Sequence, residues 1–241
     1  MGINRPPKRK QKMKTATKTA AHQRYRSKIL KLKNGKGAIF PGVTTILGNV
    51  GWGKEFLARW ANRLGLKGID STKYRDDTAD IGTLGHALVT NAILGIETDT
   101  SDYTKNQIEQ AENVALSYFE WEKGHTIELI YDGDKPMVEV QLVSEEYQYG
   151  GQIDIYALVD GVRELLDIKT GGVWDTHYVQ VGGGYHGLLT ENGFPVERVR
   201  ILNLPRTEDE KFKDIIVTNI DACWEAFECA RKLHDLHKKF R

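Results

Sequence analysis

Apolar positions in this 241-residue chain recur at two different spacings, and the switch between them sets out its elements. Helical spacing comes first. Phe56, Leu57, Trp60, Ala61 and Leu64 predict a helix over Phe56–Leu64. Ile81, Leu84, Leu88 and Ile93 predict a second over Asp76–Leu94, and Ile108, Ala111, Ala115, Tyr118 and Phe119 a third over Asn106–Lys123. The period then shortens to two. Ile127–Tyr131, Met137–Val143, Gln152–Val159 and Val162–Lys169 read as four successive strands joined by short turns such as Asp160-Gly161. Asp175–Asn192 returns to helix, Val196–Leu204 to strand, and Asp221–Phe240 closes as an amphipathic helix. Upstream, Tyr25–Leu32 and Ala38–Phe40 read as a hairpin about Asn34-Gly35-Lys36-Gly37. Pro41-Gly42 breaks it, and Val43–Leu47 follows with a threonine suited to cap a helix. Helices, a strand meander, then helix, strand and helix describe one α/β domain with a mixed central sheet, not a repeating βαβ array.

Composition permits such a core, with 40% hydrophobic residues. No run of about 18 apolar residues occurs, so no membrane span is expected. The basic start is not followed by an apolar segment, so no secretory signal is expected either. Two cysteines, Cys223 and Cys229, are too few for a disulfide framework, a four-cysteine zinc site or an iron–sulfur cluster, and a reducing cytoplasmic setting fits.

The net charge of +1 hides an asymmetry. Residues 1–36 carry 13 Lys/Arg and no acid, so the remainder, with 21 basic and 33 acidic side chains, nets −12. Residues 1–22 read as a basic flexible tail and residues 23–241 as the folded domain. The tail fits an inert solubilising segment, an arm that grips nucleic acid, or an organelle transit peptide, which leaves mitochondrial targeting open.

One motif is a decoy. Gly48 to Lys54 fits the G-x-x-x-x-G-K of a phosphate-binding loop, after an apolar run and before a helix. The next residue is Glu55 where a Ser or Thr hydroxyl is needed for Mg²⁺, and Trp52 is bulky for a loop that wraps a triphosphate. A Gly-rich turn leading into a helix is the plainer reading.

The chemistry gathers between Glu139 and Tyr185. On the strand Leu165–Thr170, Asp167 and Lys169 project to one side while Leu166 and Ile168 point to the other, into the core. An acid-x-Lys pair alone is an exposed ion pair worth about 0–1 kcal/mol, and Asp209-Glu210-Lys211 is a second example of it. Asp154, however, lies on the preceding strand and Glu139 on the one before. Three carboxylates on consecutive strands repel one another unless a hard cation such as Mg²⁺ or Mn²⁺ gathers them. A lysine beside that cation is suited to hold an attacking water.

The set Glu139, Gly151-x-x-Asp154, Asp167-x-Lys169-Thr170, Gln180 and Tyr185 resembles the PD-(D/E)XK nuclease superfamily, and its RecB-type exonuclease branch most, including phage and mitochondrial genome-maintenance members. Gly82-Thr83-Leu84-Gly85-His86 is similar to that branch's helical G-x-x-x-H motif, and Pro41–Leu47 to its P-S-V-T-T-x-L segment. The resemblance covers residues 24–204. It implies a restriction-endonuclease-like core with a mixed central β-sheet flanked by helices. It implies His86, Asp154, Asp167 and the Ile168 carbonyl as ligands of Mg²⁺ or Mn²⁺, Lys169 as the catalytic lysine, and Glu139 as an accessory acid. Gln180 and Tyr185, with Thr170 and Trp174, would brace the site or contact DNA. The implied protein is an exonuclease acting on DNA ends or single strands in recombination, repair or phage DNA processing, in a bacterial or phage-infected cell, with a recombination protein as a possible partner. Two departures stand out. The Gln–Tyr spacing is five where the family has four, so either the helix bulges or Tyr185 is not the equivalent residue. The four cluster cysteines that many members carry are also missing.

Plainer readings stand beside these. His86 on an apolar helix suits a hydrogen-bonded core histidine. His234 and His237 are three apart and within reach of one metal, but fit better as polar residues near a helix C-terminus, where basic groups are favourable. His177 and His186 read as surface or DNA-facing, and Trp52, Trp60, Trp121 and Trp224 as core or rim. Trp174 is placed to stack on an unpaired base. A binding subunit of a recombination complex with little hydrolysis is the competing function.

Overall fold

Most of the period-two segments come together in one six-stranded sheet, while the Tyr25–Phe40 hairpin forms a two-stranded sheet of its own. The computed structural model describes residues 25–52 and 54–240; the tail expected over residues 1–22 and Gly53 of the loop motif lie outside them. In chain order the elements are β1 (Tyr25–Lys31), β2 (Gly37–Phe40), α1 (Val43–Leu47), α2 (Lys54–Leu66), α3 (Ser71–Leu94), α4 (Lys105–Glu122), β3 (Ile127–Leu129), β4 (Tyr131–Asp132), β5 (Lys135–Pro136), β6 (Val138–Ser144), β7 (Tyr149–Val159) and β8 (Val162–Thr170). There follow α5 (Asp175–Tyr178), a π-helical turn (Val179–Tyr185), α6 (His186–Glu191), β9 (Arg198–Leu204), β10 (Lys213–Val217) and α7 (Ile220–Lys238).

The main sheet runs β10-β9-β8-β7-β3, with β6 sharing the β3 edge of the long strand β7. Only β8 and β9 pair in parallel, and the segment α5 to α6 makes the crossover between them. On one face α1, the π turn, α6 and α7 bury Ile46, Tyr185, Leu188 and Phe227 against Ile153, Leu165 and Ile201. On the other, α3 and α4 bury Val89, Ile93, Val114 and Tyr118 against Ile155, Leu166, Ile168 and Leu202. The expected α/β architecture, a mixed central sheet between helical layers, is the one that forms, and it is consistent with a restriction-endonuclease-like core. Among the described residues no helix is long and apolar enough to cross a membrane.

Several boundaries move for local reasons. Helix α3 starts at Ser71, not Asp76, because the Asp70 carboxylate caps it, accepting from the Thr72 and Lys73 N–H groups at 2.8 and 3.1 Å. Thr44 and Thr45 lie inside α1, whose N-cap is Gly42, so neither caps a helix. Strand β10 is an addition, a short edge strand of the sequence Lys-Asp-Ile-Ile-Val. A buried ion network fixes β8 to its neighbours. Fully buried Glu164 accepts from Arg198 (2.6 Å) and Arg200 (2.7 Å), and Arg200 also reaches Asp214 of β10 (2.5 Å) and lies over Trp121. Removing one partner of such a network strands the others' charge, at a cost of about 3–5 kcal/mol.

Glycine decides how closely α7 approaches the π turn. A Cβ on Gly183 would land on the Cys223 carbonyl oxygen, a backbone atom that cannot swing aside. Gly65, on exposed α2, has nothing within 4 Å of the same position. Gly183→Ala should therefore destabilise the protein by about 1–3 kcal/mol, whereas Gly65→Ala should stabilise it by about 0.5–1 kcal/mol. Thermal melts of the two variants should move in opposite directions; equal shifts would contradict this packing.

Candidate active site

The site lies where β7 and β8 part. Their antiparallel pairing runs in register to Ile155↔Leu166 and stops one position short of Asp154 and Asp167. In place of a ladder bond, the Asp154 Oδ2 accepts from the Ile168 N–H at 2.8 Å. Beyond this point β8 stays with β9, pairing Asp167↔Ile201 and Lys169↔Asn203, while β7 stays with β6. Glu139 sits between the pairs Val138↔Ile155 and Val140↔Ile153, so it faces Asp154 across the two strands. Its φ is 54°, in the left-handed region. Strict alternation inverts here: Val138 and Ile155 pack toward α3 and α4, whereas Val140 and Ile153 pack toward the opposite layer. Both strands thus change face at the two carboxylates.

Helix α3 brings the histidine. A Cβ on Gly82 would lie 3.0 Å from Thr170 Oγ1, and one on Gly85 would lie 2.9 Å from Val114. The two glycines let α3 settle close to the end of β8 and to α4. His86, one turn past Gly82, then reaches Asp154, its Nδ1 3.5 Å from Oδ2. The Ile168 carbonyl hydrogen-bonds the His86 ring, so both polar groups of the Ile168 peptide serve the site.

Ligand atoms of His86, Glu139 and Asp154 all lie within 4.8 Å of one another. Asp167 adjoins them, 1% exposed, ion-paired through Oδ2 with Lys169, while its buried Oδ1 has no hydrogen-bond partner. An imidazole, two facing carboxylates and an orphaned carboxylate oxygen form a donor set that fits a hard divalent cation.

Burial dominates the electrostatics. It pushes the Glu139 carboxyl up to about 8, with the Asp154 charge adding to the effect. It raises Asp154 too, and lifts Asp167 to about 6 against the pull of Lys169. His86 is 26% exposed at its side chain, yet the protein around it, and then Lys169, push it down to about 4, so the imidazole is neutral near pH 7.

The π turn accounts for the five-residue spacing. Its wider winding brings Gln180 and Tyr185 to one face, where Gln180 Nε2 donates to the Tyr185 hydroxyl at 2.8 Å. Tyr185 is buried beside the carboxylates, and burial with their charges raises its phenol well above the usual value. Gly151 makes room for the Tyr185 ring, since a Cβ there would lie 2.8 Å from it. Thr170 ends β8 under Gly82, whereas Trp174 stands outside the cluster, 51% exposed.

Two neighbours of the cluster were not marked out by sequence as part of it. Gln152 donates its amide to Glu139; period-two spacing from Asp154 was the available signal. His177, pushed down to about 4 by burial and then by Lys169, accepts the Trp174 N–H at Nδ1. His234 and His237 do not join the cluster; they pair with Asn49, at 2.6 and 3.3 Å.

No known protein family matches the chain, and neither does any curated protein. Several solved structures are similar, two of them as follows. One is a candidate exonuclease from Eubacterium rectale, 14% identical, with a TM-score of 0.43, covering 65% of this chain. The chain spans 64% of that protein's length, less than two thirds. The other, the protein SSO0001, is 14% identical with a TM-score of 0.26, covering 75% of this chain and 85% of its own.

The raised Glu139 carboxyl has a thermodynamic signature. The folded protein keeps this proton up to about pH 8, while the unfolded chain releases it near the ordinary 4.5. Between these values the folded state binds more protons, so stability falls as pH rises. Below pH 6.5 His86 and His177, neutral when folded, contribute the opposite slope, and Asp167 overlaps up to about 6. The window from 6.5 to 8 therefore reports Glu139 together with Asp154, the acid it faces. In EDTA the melting temperature should fall across it, and Glu139→Gln should flatten the fall; an unchanged slope in the variant would refute the assignment.

Proposed function

We propose that this protein is a Mg²⁺- or Mn²⁺-dependent deoxyribonuclease of the RecB-type exonuclease kind, hydrolysing phosphodiester bonds at DNA ends or in single strands. One observation carries the reading: three carboxylates from three strands converge with a lysine and a neutral histidine in one cluster, and a buried carboxylate oxygen there lacks a partner. His86, Asp154 and Asp167 are the ligands in this reading, with the Ile168 carbonyl contributing and Glu139 as accessory acid. A bound divalent cation supplies a Lewis acid that acidifies water and offsets charge on the phosphoryl group. Lys169 Nζ, anchored by Asp167, holds the attacking water by hydrogen bonds and steadies the phosphate oxygens. Gln152 holds Glu139 in place, and Gln180 and Tyr185 brace the wall behind the carboxylates. The basic segment before Tyr25 adds salt-sensitive, sequence-independent grip on the DNA backbone. Recombination, repair or phage DNA processing, with a recombination protein as partner, is the setting this activity suits.

End-labelled single- and double-stranded DNA should be degraded with Mg²⁺ or Mn²⁺ and left intact in EDTA. Lys169→Ala and Asp167→Asn should each lower the rate by about 100-fold or more. Metal-dependent degradation that persists in both variants would remove these residues from the mechanism. A wild-type protein that binds DNA without cutting it would point to the binding subunit instead.

A further inference from the structure

Three large aromatic side chains stay in water around the segment that follows the strand carrying Asp167 and Lys169. Trp174, four residues beyond Thr170, is 51% exposed; Phe56 is 44% and Trp52 48% exposed. Phe56 and Trp174 meet with ring centroids 5.0 Å apart and planes tilted by 48°. Exposed aromatic surface gathered in this way is unfavourable in water and marks a place that is covered in use. The indole is fixed from below. A Cβ on Gly172 would lie 2.8 Å from it, so glycine lets the loop pass under the ring, and the Trp174 backbone N–H donates to His177 Nδ1 at 3.2 Å. Helix α2, which carries Phe56, buries none of its residues. Trp52 walls a notch of about 330 Å³ together with Asp175, Tyr178 and Asn219.

The surroundings favour a nucleic-acid strand over an apolar protein surface. The Lys54 ammonium folds against Gly51, beside Trp52. Planes for bases lie alongside a cation for phosphate, the combination that binds single strands. Asp175 and Asn219 add an acceptor and an amide that suit base edges; the Asn219 side chain makes no capping bond although it precedes α7.

We propose that Trp174, Phe56 and Trp52 form a stacking subsite for unpaired nucleobases at the mouth of the active site, so that the substrate is a strand with unpaired bases next to the cut. The proposal rests on the nuclease reading and is tested apart from it. Trp174 is exposed, so replacing it spares the core. Binding is measured by fluorescence anisotropy in EDTA, where no turnover occurs, with labelled oligo(dT) and with an abasic strand of equal length. Trp174→Ala should weaken oligo(dT) binding about tenfold, Phe56→Ala should weaken it less, and Trp174→Phe should restore most of the loss. The abasic strand should bind wild type and Trp174→Ala alike. In Mg²⁺, Trp174→Ala should raise KM for single-stranded DNA while kcat at saturation stays near wild type. Unchanged oligo(dT) binding in Trp174→Ala would overturn the subsite, as would an equal loss for the abasic strand. So would a change in self-association without a change in DNA binding, which would make the ledge a protein interface. Failure of the wild type to cut would overturn the nuclease reading alone, because the binding comparison decides the subsite without cleavage.

Discussion

Carboxylates withdrawn from water and held together are the constraint around which this molecule is arranged. At an effective dielectric of about 20, two charges some 4–5 Å apart repel by roughly 3–4 kcal/mol. Glu139 and Asp154 face each other at that range, and Asp167 stands beside them. One ammonium, Lys169, is their direct counter-charge, while the His86 imidazole is neutral. At neutral pH the protein meets the imbalance by keeping a proton on Glu139. A hard cation bound there would take the place of that proton.

The backbone bends to this demand at several places. Strands β7 and β8 give up a ladder bond so that Asp154 can take the Ile168 N–H. The crossover helix widens by one residue so that Gln180 and Tyr185 close the wall. Helix α3 carries Gly82 and Gly85 where it meets Thr170 and Val114. Stability is supplied elsewhere, by two apolar layers and by the Glu164–Arg200–Asp214 network that locks the three strands behind the site.

Much of the architecture was legible because its signals are local and repeated. The two periods separated helices from strands, and alternation alone put Asp167 and Lys169 on one side. The unusual Gln–Tyr spacing was legible as a choice between two outcomes, and the bulge is the one that occurs. What stayed hidden depends on inverted or long-range geometry. Period-two reading assumes unbroken alternation, so it had no means of finding the switch of face at Glu139. Gln152 and His177 carry no motif; each matters through a neighbour supplied by folding. Strand β10 is a five-residue edge strand, too short for its pattern to rise above its polar surroundings.

The left-handed backbone at Glu139 sets stability against chemistry at a single position. A side chain with a β-carbon is held there at a cost of about 1 kcal/mol or more, and it is acidic, half-buried and opposite another acid. Asparagine or glycine would relax the peptide and remove the repulsion at once. Screening variants of this chain for heat resistance would therefore enrich such replacements, and the hardier proteins would have lost a carboxyl from the cluster.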